Sequence, residues 1–233
     1  MAEELEKKKR YRRTKAAIER DVMQAVDSLI EEVGYRNLTL TAVANKAKIE
    51  PAVFYRRFAN LEELFDVYTR KYDYWLGTIL ASIPTDLKEE ESLHWILQTL
   101  IQSLLKNKGM QQLLIWELSD DNPTTRRTAQ LRESINEPLI RLLEHKFKGS
   151  SLDINVISAV IISGIYYLIL HRKRSHFCDV DYNSRAGKDR FKEGVRQLTN
   201  LLFEKLKEEE RIESIKNKLR TEGVSEDIIA KCF

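Results

Sequence analysis

The chain has 233 residues, enough for one or two domains and a core that folds unaided. With 42% hydrophobic and 32% charged residues it is globular rather than disordered, and eight glycines and four prolines leave few turn positions and favour long helices. The net charge is only +3, yet thirteen lysines and arginines against six acids fall between Lys7 and Arg57, so a basic N-terminal quarter on a mildly acidic body is suited to a polyanion. Cys178 and Cys232 form no metal-type or redox-type spacing, as in a reduced cytoplasmic protein. The charged start lacks the apolar segment of a secretory leader. The longest apolar run, Val156 to Leu170, is 15 residues and carries Ser158, Ser163 and Gly164, short of a membrane span.

Apolar residues recur at helical spacing nearly throughout. The basic stretch "KKKRYRRTK", Lys7 to Lys15, is either a solvated tail or an arm adding phosphate or minor-groove contacts; both hold if it orders only on DNA. Ile18, Val22, Ala25, Leu29 and Ile30 line one face of a first helix that stops near Gly34. Thr39 is placed to cap a short helix through Ala47, and Pro51 to open another. Asn60 and Glu63 form a capping-box pattern, expected to open a long helix with Leu64, Phe65, Tyr68, Tyr72, Trp75, Leu76 and Ile79 on its apolar face. Ser82 to Ser92 reads as a loop or a frayed helix end. Further helices are expected at about 92–106, 109–118, 123–146, 152–172 and 187–210, with Pro138 kinking the one that holds it. The tail after Arg211 reads as a helix, a turn at Gly223 and a short helix capped by Ser225.

Two short helices parted by a turn near Lys48-Ile49 follow the helix-turn-helix plan, in which the second helix of the pair enters the major groove. Ala44 and Ala47 permit close approach, and Val43, Ile49, Phe54 and Phe58 supply apolar pins. Tyr55, Arg56 and Arg57 then lie off the pinned face, where a phenol and guanidinium groups suit phosphates and thymine methyls.

From about Val22 to Leu64 the sequence resembles the DNA-binding domain of TetR (tetracycline-repressor-type) transcriptional regulators. The resemblance rests on Gly34-Tyr35, Thr39, Val43-Ala44, Ala47, Ile49, the run Phe54-Tyr55-Arg56-Arg57-Phe58, and Glu62-Glu63-Leu64. It implies phosphate contacts from Thr39 and Arg57, with Arg56 available to compensate for missing ones. It implies base-edge or groove contacts from Thr41, Pro51, Ala52 and Tyr55. Four positions depart from the family pattern. Lys48 replaces the turn glycine, Glu50 a capping serine, Val53 a phosphate-binding threonine and Leu61 a lysine.

The fold class expected is therefore all-α, in four parts: a basic arm over 1–15, the DNA-binding domain over 16–60, a helical ligand-binding and dimerisation bundle over 61–210, and a helical tail over 211–233. The resemblance implies a homodimer on a palindromic operator. Small residues in helix 152–172 and the stripe Phe191, Val195, Leu198, Leu202 and Leu206 in helix 187–210 suit an intersubunit four-helix bundle. Trp75, Trp95, Trp116, Tyr166, Tyr167 and His171 are candidates for lining a small-molecule site. No nucleophile–base set, phosphate loop or metal-ligand spacing is present, so neither an enzyme nor a cofactor or metal is expected. The reading is a repressor released by a ligand; its alternative is an architectural DNA-binding protein without an effector.

Overall fold

The computed structural model describes residues 13–233, so the arm is described only from Arg13 onward. Among the described residues the regular elements are eleven α-helices and one 3₁₀ turn. Apart from an isolated bridge between Phe177 and Val180, they include no β-structure. The helices form two compact units. One takes the chain to Tyr72 and again from Lys108 to Thr128; the other takes Asp73–Asn107 and Ala129–Phe233.

In the first unit, α1 (Lys15–Val33) starts where the Thr14 hydroxyl accepts from the Ala17 amide at 3.2 Å. It ends at Gly34, whose positive φ of 76° releases the chain. Val22, Ala25, Val26, Leu29 and Ile30 are its buried face. α2 (Leu40–Lys46) is capped by Thr39, which accepts from Ala42 N at 3.2 Å. α3 (Pro51–Tyr55) opens on Pro51, and α4 (Leu61–Thr69) on Asn60, which accepts from Glu63 N at 2.9 Å. The Glu63 carboxylate reaches back one residue past the cap, to Ala59 N at 2.6 Å.

The long helix expected from Leu61 to beyond Ile79 is broken. A 3₁₀ turn (Arg70–Tyr72) follows α4, and a separate α5 (Trp75–Ala81) begins three residues later. The Asp66 carbonyl accepts from the Thr69 hydroxyl at 3.1 Å, and the Arg127 guanidinium donates to the same residue's carboxylate at 2.9 Å. Arg127 also donates to Thr69 Oγ1 at 2.9 Å. These side-chain bonds cluster at the last turn of α4, just before the break.

α7 (Lys108–Ser119) and the first turn of α8 (Pro123–Lys146) complete this unit, which is why it extends beyond the 16–60 segment expected. Tyr35 stacks on Trp116 at 4.5 Å between centroids, with Phe65 edge-on to it at 5.3 Å. Each such pair contributes about 0.5–1.5 kcal/mol beyond the area it buries.

The second unit packs α5, α6 (Glu89–Lys106), the rest of α8, α9 (Ile154–His171), α10 (Arg185–Thr221) and α11 (Glu226–Cys232). The expected loop is shorter than Ser82–Ser92, because the acidic run from Glu89 already forms the first turn of α6, where negative charge is favourable. α8 continues through Pro138 without interruption. α10 is one helix of 37 residues, not a helix to 210 followed by a tail. Ten of the fourteen residues from Lys207 to Arg220 are strong helix formers (Lys, Glu, Arg, Leu), and the next breaker is Gly223 with φ 83°. At the start of α10, a Cβ on Gly187 would sit 1.8 Å from the Asp181 carbonyl oxygen, so only glycine fits there. α10 buries Phe191, Val195, Thr199, Phe203 and Leu206, steps of mostly four residues. Leu198, expected among them, is outside with Leu201. Cys178 and Cys232 are both free and exposed.

Candidate nucleic-acid interface and effector cavity

The turn between α2 and α3 closes by two backbone bonds. Ile49 N donates to Ala44 O at 3.0 Å, and Lys48 N to Asn45 O at 3.1 Å. This is a Schellman closure, and it requires a left-handed residue between them. Lys48 occupies that place with φ 54°, a conformation that costs a residue with a Cβ about 1–2 kcal/mol. Arg13 answers this cost. Its guanidinium donates to the Ala47 carbonyl at 3.1 Å and the Lys48 carbonyl at 2.5 Å, and it pairs with Asp21 at 2.8 Å. The last described arginine of the basic arm is therefore a clasp on the turn. Nothing in local sequence spacing marks it.

The turn sets α3 with Phe54 buried against Phe58, their centroids 5.4 Å apart, while Val43, Ala44 and Ala47 fill the space beneath. α3 exposes Pro51 and Ala52 in its first turn and Tyr55, 59% exposed, at its end. Thr39 and Thr41 are exposed at the start of α2, and the Thr39 hydroxyl, whose oxygen caps α2, keeps its proton to donate. Arg56 is exposed and donates to Ala52 O at 3.2 Å. Arg57 is exposed and pairs with Glu19 of α1. All seven residues expected at DNA thus fall on exposed positions of the α2–α3 motif or directly after it. Glu50 precedes α3 without capping it by its side chain, in keeping with its replacing a capping serine.

The second unit holds a cavity of about 440 Å³. Its walls include Leu93, Leu97 and Leu100 of α6, Leu139 and Leu143 of α8, and Ile162 of α9. Its polar lining is Arg132, Glu133 and Asn136 on α8 and Asn155, Ser158, Ser163 and Tyr166 on α9. Of the six aromatic and histidine side chains expected at a ligand, Tyr166 lines this space and the other five lie elsewhere. Trp75 donates its indole N–H to Ser103 Oγ at 2.8 Å, and Trp95 is half-buried on α6 away from the cavity. Trp116 belongs to the first unit's core, held by Tyr35. Tyr167 stacks on His171 at 5.2 Å, with Phe177 edge-on, on the outside of α9. Arg132 and Asn136, four residues apart on α8, carry no motif that singles them out in the sequence.

α9 itself is 18 residues long with a mean hydropathy of 1.9, as long and apolar as a membrane span, because Ile154, Asn155 and His171 extend the 15-residue run. Little of it is buried within the unit: Ile154, Ile165 and Ile169 face inward, while Val156 and Val160 stay exposed, Val160 by 65%. Leu201 of α10 is 59% exposed as well. Small residues, Ala159, Ser163 and Gly164, lie along α9.

These features define an all-α protein with an N-terminal helix-turn-helix unit. Residues 23–68 match the family described as bacterial regulatory proteins, tetR family. Among solved structures, a TerR/AcrR-family transcriptional regulator from Aquifex aeolicus is 18% identical at a TM-score of 0.57, covering 79% of this chain and 99% of its own. FadR from Bacillus subtilis, solved with stearoyl-CoA, is 15% identical at 0.59, covering 78% and 97%. Salmonella enterica GusR is 11% identical at 0.55, covering 82% and 97%. A comparison with curated proteins finds no match. Residues 23–68 thus match the tetR-family pattern, and the chain shares the fold of solved TetR-family transcriptional regulators.

Proposed function

We propose that this protein is a cytoplasmic, homodimeric, sequence-specific DNA-binding repressor, released from a palindromic operator by a small molecule. The observation that carries the DNA reading is the joint exposure of Pro51, Ala52 and Tyr55 on the short helix α3, whose Phe54 is buried. Pro51 and Ala52 offer apolar contact to thymine methyls, and Tyr55 a ring and a hydroxyl. Thr39, Thr41, Arg56 and Arg57 surround them as phosphate or groove contacts. The outer faces of α9 and α10 pair with a second copy, forming a four-helix bundle that sets two heads on half-sites about 34 Å apart. The cavity supports an effector: a DNA-binding protein without one has no use for about 440 Å³ of unfilled apolar space. The effector acts only if it binds the DNA-free state more tightly than the DNA-bound state.

Affinity selection on genomic fragments at two salt concentrations tests this. Enrichment of a palindrome that survives higher salt is expected. Uniform binding that vanishes with salt would mean that Pro51, Ala52 and Tyr55 read no bases.

A further inference from the structure

We propose that Glu50 reads one C·G pair in each half-site of the operator, its carboxylate accepting from the cytosine N4 amino group. The inference rests on the DNA-binding function above and deepens it by naming a base and the residue that reads it.

The second helix of a helix-turn-helix meets base edges with its N-terminal residues. α3 has few polar atoms to offer there. Pro51, Ala52, Val53 and Phe54 carry no polar side-chain atom, and Pro51 lacks a backbone N–H as well. Hydrogen-bonded readout by side chains of this helix therefore falls to Glu50 at its start and Tyr55 at its end. The backbone of Glu50 is fixed, since its carbonyl accepts from Val53 N at 2.8 Å and from Phe54 N at 3.4 Å. Its side chain makes no capping bond and is exposed, next to the exposed Pro51 and Ala52.

The charge of Glu50 is unusual for its surroundings. Six acids lie between Arg13 and Phe58. Glu19, Asp21, Asp27, Glu31 and Glu32 each pair with a cation. Glu50 is the sixth, and among the described residues its carboxylate has neither an ion pair nor a hydrogen bond. Phosphates repel such a group over about 10 Å at 0.1 M salt, so at the start of a reading helix it opposes binding to every sequence except one that meets it with a donor.

The base follows from the chemistry of the acceptor. A carboxylate only accepts. In the major groove guanine and thymine present acceptors, and adenine sets its N7 acceptor beside its N6 donor. Cytosine alone presents a donor with no acceptor on the same base. An unpaired carboxylate therefore selects cytosine and rejects the other three.

Selection of duplexes from a random library by the full chain, followed by gel-shift titration at one fixed salt concentration, tests the proposal. The selected palindrome should hold a C·G pair at one symmetric position that Glu50→Ala no longer specifies. Exchanging that pair for T·A in both half-sites should weaken binding to the unaltered protein about tenfold or more. Glu50→Ala should bind the selected operator severalfold less tightly than the unaltered protein, and the exchanged operator severalfold more tightly, because the unmet carboxylate is gone. Glu50→Ser, which supplies a capping hydroxyl, should behave as Glu50→Ala, and Glu50→Gln should move the preference toward adenine. A purely structural role would weaken both operators alike in Glu50→Ala and be rescued by Glu50→Ser. A palindrome with no such cytosine, unchanged base preferences in Glu50→Ala, or equal weakening on both operators would each overturn the proposal and leave the regulator function standing. If the unaltered protein selects no palindrome, the regulator function falls and the proposal with it.

Discussion

Arg13→Ala should open the helix-turn-helix turn without unfolding the protein, and Lys48→Gly should close it again. Arg13 donates two charge-assisted hydrogen bonds across the turn, at 3.1 and 2.5 Å. Two such bonds in a buried setting contribute about 3 kcal/mol; with the arginine 43% exposed, about half of that is reasonable. Removing them lowers the closed-to-open ratio of the turn about tenfold. Lys48→Gly relieves about 1–2 kcal/mol of left-handed strain, less about 0.5–1 kcal/mol for the freedom glycine gains in the open state. It therefore restores roughly half to one kcal/mol, a factor of two to five. Native-state hydrogen exchange of the Ile49 amide, which donates to Ala44 O, reads the opening directly and without DNA. Protection at Ile49 should fall about tenfold in Arg13→Ala and recover severalfold in the double variant, while amides in the middle of α1 stay unchanged. Operator affinity should follow the same order, since only the closed turn presents α3. Ile49 protection unaffected by Arg13→Ala, or not recovered by Lys48→Gly, would refute the clasp.

Four further outcomes are expected. Glu19→Gln should release Arg57 and raise DNA affinity severalfold, whereas Arg57→Gln should lower it and reduce the slope of log K against log salt by about one; gel-shift titrations across salt concentration measure both. Tyr35→Phe should be neutral or stabilising by about 1 kcal/mol in chemical denaturation, because the buried Tyr35 hydroxyl has no hydrogen-bond partner among the described residues; a loss above 1 kcal/mol would reveal one. Val160→Asp should yield monomers by sedimentation, since it puts a charge at the centre of the exposed face of α9; a persisting dimer would place the interface elsewhere. Burial pushes the Asp66 carboxyl up, but Arg70 and Arg127 outweigh it and hold the folded-state value below that of an ordinary aspartate. The stability Asp66 contributes is thus complete above about pH 4–5 and lost as pH falls through its lowered native value, so Asp66→Asn should flatten the acid limb of a stability–pH profile.

What the sequence disclosed was local chemistry. Thr39 and Asn60 cap where they were expected to, Pro51 opens α3, and Gly34 ends α1, because each answers to a backbone need met within four residues. Helix spacing identified the pinned face of α3 through Phe54 and Phe58. The failures share an origin in distance along the chain. The end of α4, where the expected long helix breaks, is bonded by Arg127, which reaches Asp66 from 61 residues away. Trp116 looked like a ligand contact until its partner proved to be Tyr35. The cavity was illegible for another reason. It is the space helices leave unfilled, and no residue type announces a void; Arg132 and Asn136 would have pointed to it only if polar positions on the inward stripe of α8 had been weighed with the apolar ones.

Lys48 brings the two kinds of information together. The missing turn glycine was visible at once, since a left-handed position penalises any side chain with a Cβ. From that local rule the turn should be poorer than in a sequence with glycine. The residue that offsets the penalty lies 35 positions earlier, in a stretch whose composition suggests a solvated tail or an arm for phosphates or the minor groove. A departure from a family pattern therefore does not by itself weaken a site. It directs attention to whatever in the fold reaches the same backbone groups, and here the carbonyls of Ala47 and Lys48 are where Arg13 reaches them.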